Sequence, residues 1–289
     1  MAFDPFLYIA FALGFIAGRL FPRRGPWVPR ATLLTVVVLV GLLGASLNDV
    51  PWVSLLATVP VAVAFAVLIL GLTSGVYLAI AQLRPAPAEP LPPPGRDERL
   101  PLSAVLLVSL LVGLGTGRLV PLPASASIPW VLYVLLALVG FDIPLRLSAL
   151  RNVWVPLTAA TVGAVAAAAL FAVVDHLALS TALATSLAFG FYSLAGPLVG
   201  ARVGAILGLL AFLTNFLRED LTMILSPYLG RRLRGAGLAA LGGATSMDTT
   251  LYFVTRYGDA EAGSLALASG LILTVAASLV LPAVLSVPL

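Results

Sequence analysis

Arg218, Glu219 and Asp220 stand side by side inside an apolar run, and Asp248 closes the stretch Gly-Gly-Ala-Thr-Ser-Met-Asp at 242–248. Charged side chains at membrane depth are costly, and where they occur they mark paths for ions or polar substrates. A carboxylate can hold either a proton or an ammonium group. Glu219 and Asp248 are therefore suited to binding a cation and exchanging it for protons. Asn215, Glu219, Thr222 and Ser226 recur at i, i+4, i+7 and i+11, which places them on one face of a helix, as a cavity lining would be. Asp220 points about 100° away from that face. Arg218 has a plainer reading as the partner of Glu219 or Asp220 in an ion pair that only stabilises the bundle. Buried pairs stabilise poorly, which favours a role for Glu219. Asp248 has a plainer reading too, as the N-cap of a helix starting near Thr249. Ser193, with Tyr192, is its counterpart in the earlier stretch Gly-Phe-Tyr-Ser at 190–193. Asp142 and Asp49 lie near the ends of the fifth and second apolar segments. Asp142 is a candidate proton or cation site, and Asp49 reads equally well as facing solvent. His176 reads as an interfacial residue, since nothing nucleophilic is placed beside it.

These residues need a frame, and composition supplies it. The chain has 289 residues, 61% hydrophobic and 10% charged, with a mean hydropathy of +1.10. That much apolar surface indicates an all-α polytopic membrane protein. The apolar segments are continuous, without the period-two alternation of a barrel strand. No cysteine is present, which removes thiolate chemistry, and no metal or cofactor site is expected. All 16 basic residues are arginine, gathered in short segments between apolar runs. They read as topology determinants, not a nucleic-acid surface. The first apolar stretch has no preceding basic residue and no small-residue cleavage site, and reads as a retained helix.

Six segments read as crossings, at 5–22, 30–48, 52–83, 102–120, 128–147 and 152–175, with two more at 201–229 and 262–285. Residues 179–199 and 236–257 differ, because Gly, Pro and Ser in mid-segment favour a break. If these cross, the count is ten; if they are re-entrant hairpins, it is eight spans and two hairpins. The eight-span arrangement with both termini outside gathers most of the arginines on the cytoplasmic side and is preferred. The expected organisation is a three-span scaffold repeat (1–83), a Pro-rich cytoplasmic linker (84–100), a second three-span repeat (101–175) and a hairpin–helix–hairpin–helix transport unit (176–289). Residues 14–22 and 113–121 both read GxxxGRLxP. Three spans per unit would invert the second unit relative to the first, as in many secondary transporters. The GxxxG pairs read as close helix packing, and they would also allow a homodimer. Two hairpins entering from opposite sides would meet near the midplane.

The stretches FGFYSLAGPLVG, FLTNFLREDLTMILSP, RRLRG and GGATSMDTT resemble the bacterial and archaeal lysine exporter family of the LysO type. The resemblance implies an inner-membrane exporter of L-lysine and basic analogues, not an enzyme. Tyr192, Ser193, Arg218, Glu219, Thr245, Ser246 and Asp248 fall on the family's motif positions. Asn215 falls near an acidic position of the motif, and Tyr252 stands where the family often has Pro. Exporting a cation from an inside-negative cell costs about 2.3 kcal/mol per charge per 100 mV, so coupling to inward protons or Na+ is expected. Glu219 and Asp248 would exchange protons for the substrate between the hairpin tips, and tip amides would hold its α-carboxylate. Two rivals belong to other classes. A small-cation channel would need a continuous polar path, and an intramembrane hydrolase would need a partnered base or two facing carboxylates.

Overall fold

The computed structural model describes residues 5–21, 27–83, 102–120, 123–142, 152–247, 249–259 and 262–287. The described residues form eleven α-helices and a 3-10 turn, with no strand among them. The helices are α1 (Pro5–Leu20), α2 (Trp27–Ala45), α3 (Trp52–Leu83), α4 (Leu102–Leu119), α5 (Ala124–Asp142), α6 (Trp154–Val174), α7 (Leu179–Ser186), α8 (Tyr192–Val203), α9 (Ala205–Gly242), α10 (Leu251–Tyr257) and α11 (Ala262–Val284). The 3-10 turn, Gly243–Met247, lies between α9 and α10. By length and composition α3, α6 and α11 can each cross a membrane, and α1, α2, α4 and α5 carry shorter apolar stretches. Their outward faces keep large apolar side chains such as Leu13, Leu56, Val108 and Val173 exposed, as lipid-facing surfaces do.

Small residues decide how the first six helices pack. A Cβ on Gly14 or Gly18 of α1 would run into the backbone of Ala137 or Phe141 on α5. A Cβ on Gly113 or Gly117 of α4 would do the same to Gly41 or Ala45 on α2. Both pairs therefore run parallel at close approach, the use expected of GxxxG. Ser109 adds a hydrogen bond from its Oγ to the carbonyl of Val37, at 2.7 Å. The pairing crosses along the chain: α1 lies on α5, and α4 on α2. The two GRL arginines diverge. Arg118 donates to the carbonyl of Val50 and lies over the Trp52 ring, 4.2 Å from its centroid, so it clasps the α2–α3 turn. Arg19 lies over Phe15 of its own helix.

Helices α3 and α6 pack together antiparallel. Phe65 stacks on Phe171 at 3.9 Å, and Gly163 lies against Thr73. Helix α9 runs parallel to α3. Leu55, near the start of α3, shares an apolar cluster with Leu209 and Phe212, and Tyr77, near its end, packs on Gly237.

The sequence reading placed a helix at 201–229; the structure ends α8 at Val203 and starts α9 at Ala205. Gly204 separates them with φ +127, a conformation that only glycine adopts readily. Helix α9 is interrupted at Arg234 (φ 51, ψ −169), and its last part, 235–242, leads into the 3-10 turn. Both expected breaks exist. The first covers 187–191 between α7 and α8, with positive φ at Phe189 and Gly190. The second begins at Gly243, which has positive φ, and its described residues are 243–247 and 249–250. After the second break the chain returns to where it began, since Gly258 packs against Gly235, and a Cβ on Gly230 would run into the Tyr257 carbonyl.

Candidate functional site

The two breaks touch. The amide of Ala244 donates to the carbonyl of Phe189 at 2.8 Å, and a Cβ on Gly243 would collide with that same oxygen. Gly190 faces the carbonyl of Gly242 and the side chain of Thr245. Irregular backbone at membrane depth needs partners inside the protein, and much of what these breaks use comes from α9 and from each other.

Asn215 holds the first break. Its Oδ1 accepts from the amide of Gly190 at 2.8 Å, and its Nδ2 donates to the carbonyls of Thr185 (2.8 Å) and Ala211 (2.9 Å). An amide can only donate and a carbonyl only accept, so the orientation of this carboxamide is forced. Three residues along the same face, Arg218 holds the second break. Its Nε donates to the carbonyl of Leu241 and its Nη2 to that of Ala240, both at 3.0 Å. Those carbonyls end the helical segment 235–242, where a cation is favoured by the negative end of the helix dipole. The guanidinium is fully buried, and Cζ lies 6.0 Å from the Phe189 ring centroid. Its third nitrogen, Nη1, is buried with no hydrogen-bond partner among the described residues. The ion-pair reading of Arg218 thus gives way to carbonyl capping in the hydrogen bonds that the guanidinium makes.

Glu219 is 2% exposed, and Thr222 and Ser226 are fully buried, so the whole polar stripe of α9 faces inward. Thr222 and Ser226 return their hydroxyls to the carbonyls four residues back, at 2.7 and 2.6 Å. Thr245 donates to the carbonyl of Gly242 (3.0 Å), and Ser246 reaches the carbonyls of Gly243 (2.7 Å) and, on α11, Ala266 (2.9 Å). Tyr192 opens α8 with its ring edge-on to Phe212 and Phe216, and Ser193 beside it is buried.

The structure thus brings Tyr192, Ser193, Asn215, Arg218, Glu219, Thr245 and Ser246 to or beside one junction. It does not bring Asp49 there: that residue is exposed in the turn after α2. His176 is exposed in the turn between α6 and α7. Asp142 ends α5 with its side chain outside the described residues, and Asp248 lies outside them altogether. Sequence reasoning placed a helix at 262–285 but missed the contacts that α11 makes with the junction. There Gly270 lies against the Met247 amide and Ser246 Oγ, and Thr274 donates to Met247 Sδ at 3.9 Å. Ser269, Thr274 and Ser278 are all buried; Thr274 and Ser278, four residues apart, share a helical face, and that spacing was the signal in the sequence.

Asn215→Asp is expected to loosen the first break, because a carboxylate cannot donate to Thr185 and is itself buried. Each lost buried hydrogen bond costs about 1–3 kcal/mol. Amide exchange over 186–192 should accelerate about tenfold or more. Exchange at the wild-type rate would remove Asn215 as the clamp.

The lysine exporter LysO family profile matches residues 107–285, which contain the whole of this junction. A curated relative, the lysine exporter LysO of Escherichia coli (strain K12), is 30% identical over 183 residues, covering 61% of this chain. The chain spans 60% of the length of that relative. No solved structure matches the chain. The profile covers more than half of the chain and includes both breaks and the buried stripe of α9, so this helical membrane protein belongs to the lysine exporter LysO family.

Proposed function

We propose that the chain is a secondary active exporter of L-lysine and basic analogues in the cell's inner membrane, driven by exchange with protons or Na+. The observation that carries this is the junction itself: in a chain of this family, two breaks meet beside a buried carboxylate, Glu219, on a stripe of buried polar residues. Asp248, beside the second break in sequence, is the second carboxylate of the reading. Each would hold the substrate's ammonium group in one stage of the cycle and a proton or Na+ in the other. Without such coupling, a cation would accumulate inside an inside-negative cell.

The packing supports a membrane topology of eight spans and two re-entrant hairpins. Helices α7 and α8 begin after α6 and end before α9, both at the end of the bundle where α3 starts. The segment 235–258 begins and ends at the opposite side, with Gly235 against Gly258. The hairpins would enter from opposite faces and meet at their tips. Because α9 runs parallel to α3, Arg231, Arg232 and Arg234 lie toward the end from which residues 84–100 depart. Gathering these arginines on the cytoplasmic side places both termini outside. The swapped pairing of α1 with α5 and α4 with α2 supports two inverted scaffold repeats, 1–83 and 101–175, around a transport unit at 176–289. The GxxxG faces expected to allow a homodimer are filled within the chain, so a homodimer in this reading would use other outward helix faces.

The test is efflux from proteoliposomes loaded with labelled L-lysine, with and without an opposing pH or Na+ gradient. Gradient-stimulated efflux that disappears in a folded Asp248→Asn variant is the expected result. A folded wild type that moves no lysine sinks the exporter reading; normal efflux in Asp248→Asn removes that residue from the site.

A further inference from the structure

We infer that Arg218 is the residue that recognises the substrate's α-carboxylate, an assignment that rests on the exporter reading above. The sequence alone favoured the tip amides for this task. In the structure six of those amides are already engaged. Phe189 donates to Ser186, Gly190 to Asn215, Phe191 to Ala188 and Tyr192 to Gly190. Across the junction Gly243 donates to Ala239 and Ala244 to Phe189. A carboxylate arriving here would have to break backbone bonds that hold the fold.

Arg218 offers a donor that no backbone carbonyl already takes. Its Nε and Nη2 hold the carbonyls of Leu241 and Ala240, which fixes the guanidinium plane, and Nη1 is left over, buried and without a partner among the described residues. The group abuts the junction: an added Cβ on Gly243 would lie 3.0 Å from Nη2, and Cζ lies 6.0 Å from the centroid of the Phe189 ring of the other break. Carbonyl dipoles offset only part of a buried cation's desolvation, so an anion brought to Nη1 is stabilised there. Guanidinium and carboxylate match in shape and charge. Glu219 is the next residue on the same helix, so ammonium and carboxylate acceptors stand about one side-chain step apart around α9. With the Phe189–Ala244 contact closed, Arg218 is fully buried. The carboxylate reaches it when the two breaks separate.

This assignment makes the α-carboxylate a condition of transport, so the ligand class is a basic amino acid and not a simple diamine. The probes are L-lysine, lysinamide and cadaverine, each competing against labelled L-lysine efflux from proteoliposomes holding the full chain. In the wild type, lysinamide and cadaverine should compete on the order of 10- to 100-fold more weakly than lysine. In Arg218→Gln the lysine constant should rise by a similar factor while that of cadaverine stays put, so the discrimination collapses. Arg218→Lys, which keeps a cation, should restore part of it. A purely structural capping role would weaken all three ligands alike, and that result overturns the assignment. Should the variants fail to fold, the shift in thermal midpoint of the detergent-solubilised wild type with each probe decides. Equal shifts with lysine and cadaverine overturn the role of Arg218 alone. No response of the wild type to lysine in either assay overturns the exporter reading, and this assignment with it.

Discussion

Gly243→Ala should separate the two breaks and stop function. The added methyl would collide with the Phe189 carbonyl and come to 3.0 Å from Nη2 of Arg218. Neither can yield cheaply, since the first is backbone in a break with positive φ and the second is held by two carbonyls. Gly243 itself has φ +64, where any L-residue is strained. Overpacking of this kind costs about 1–3 kcal/mol, and the backbone conformation adds about 1–2 kcal/mol. The apparent midpoint of thermal unfolding should fall by roughly 5–10 °C, and lysine efflux should be lost. Gly71→Ala is the control, because its Cβ would meet nothing within 4 Å and alanine favours a helix. A Gly243→Ala protein with wild-type midpoint and efflux would mean that the junction is not needed.

Glu219→Gln should cost more in transport than in stability. Glutamine keeps the size of the side chain and one carbonyl acceptor, but it can neither bind a proton reversibly nor pair as an anion with an ammonium group. Breaking a buried charge pairing costs about 3–5 kcal/mol, so efflux at subsaturating lysine should fall on the order of 100-fold or more. Removing a buried charge is often neutral for folding, so the thermal midpoint should stay within a few degrees of wild type. Glu219→Asp should retain partial efflux. Efflux in Glu219→Gln within threefold of wild type would show that this carboxylate carries neither the substrate nor the coupling ion.

Much of this architecture was legible before any coordinates. Apolar length indicated helices, and Gly and Ser in mid-segment marked both breaks. The spacing of Asn215, Glu219, Thr222 and Ser226 marked one inward face, and all four are buried. What stayed hidden depends on which parts of the chain meet. Nothing local tells Arg218 to choose the carbonyls of Ala240 and Leu241 over the carboxylates beside it in sequence. A GxxxG pair announces a close approach without naming the partner, so the crossing of α1 to α5 and α4 to α2 could not be read. The buried hydroxyls of α11 escaped notice because Ser and Thr bonded back to their own helix look like packing residues.

That crossing has a consequence for how the chain is made. Helix α1 has its close seat on Ala137 and Phe141 of α5, and α2 receives α4 along Gly41, Gly44 and Ala45. During synthesis the first three helices must therefore wait in the bilayer, with their glycine faces unfilled, until α4 and α5 have emerged. Residues 84–100 keep the early helices tethered through that interval. Assembly of these four helices is a late docking, because α1 and α2 have their close partners on α5 and α4.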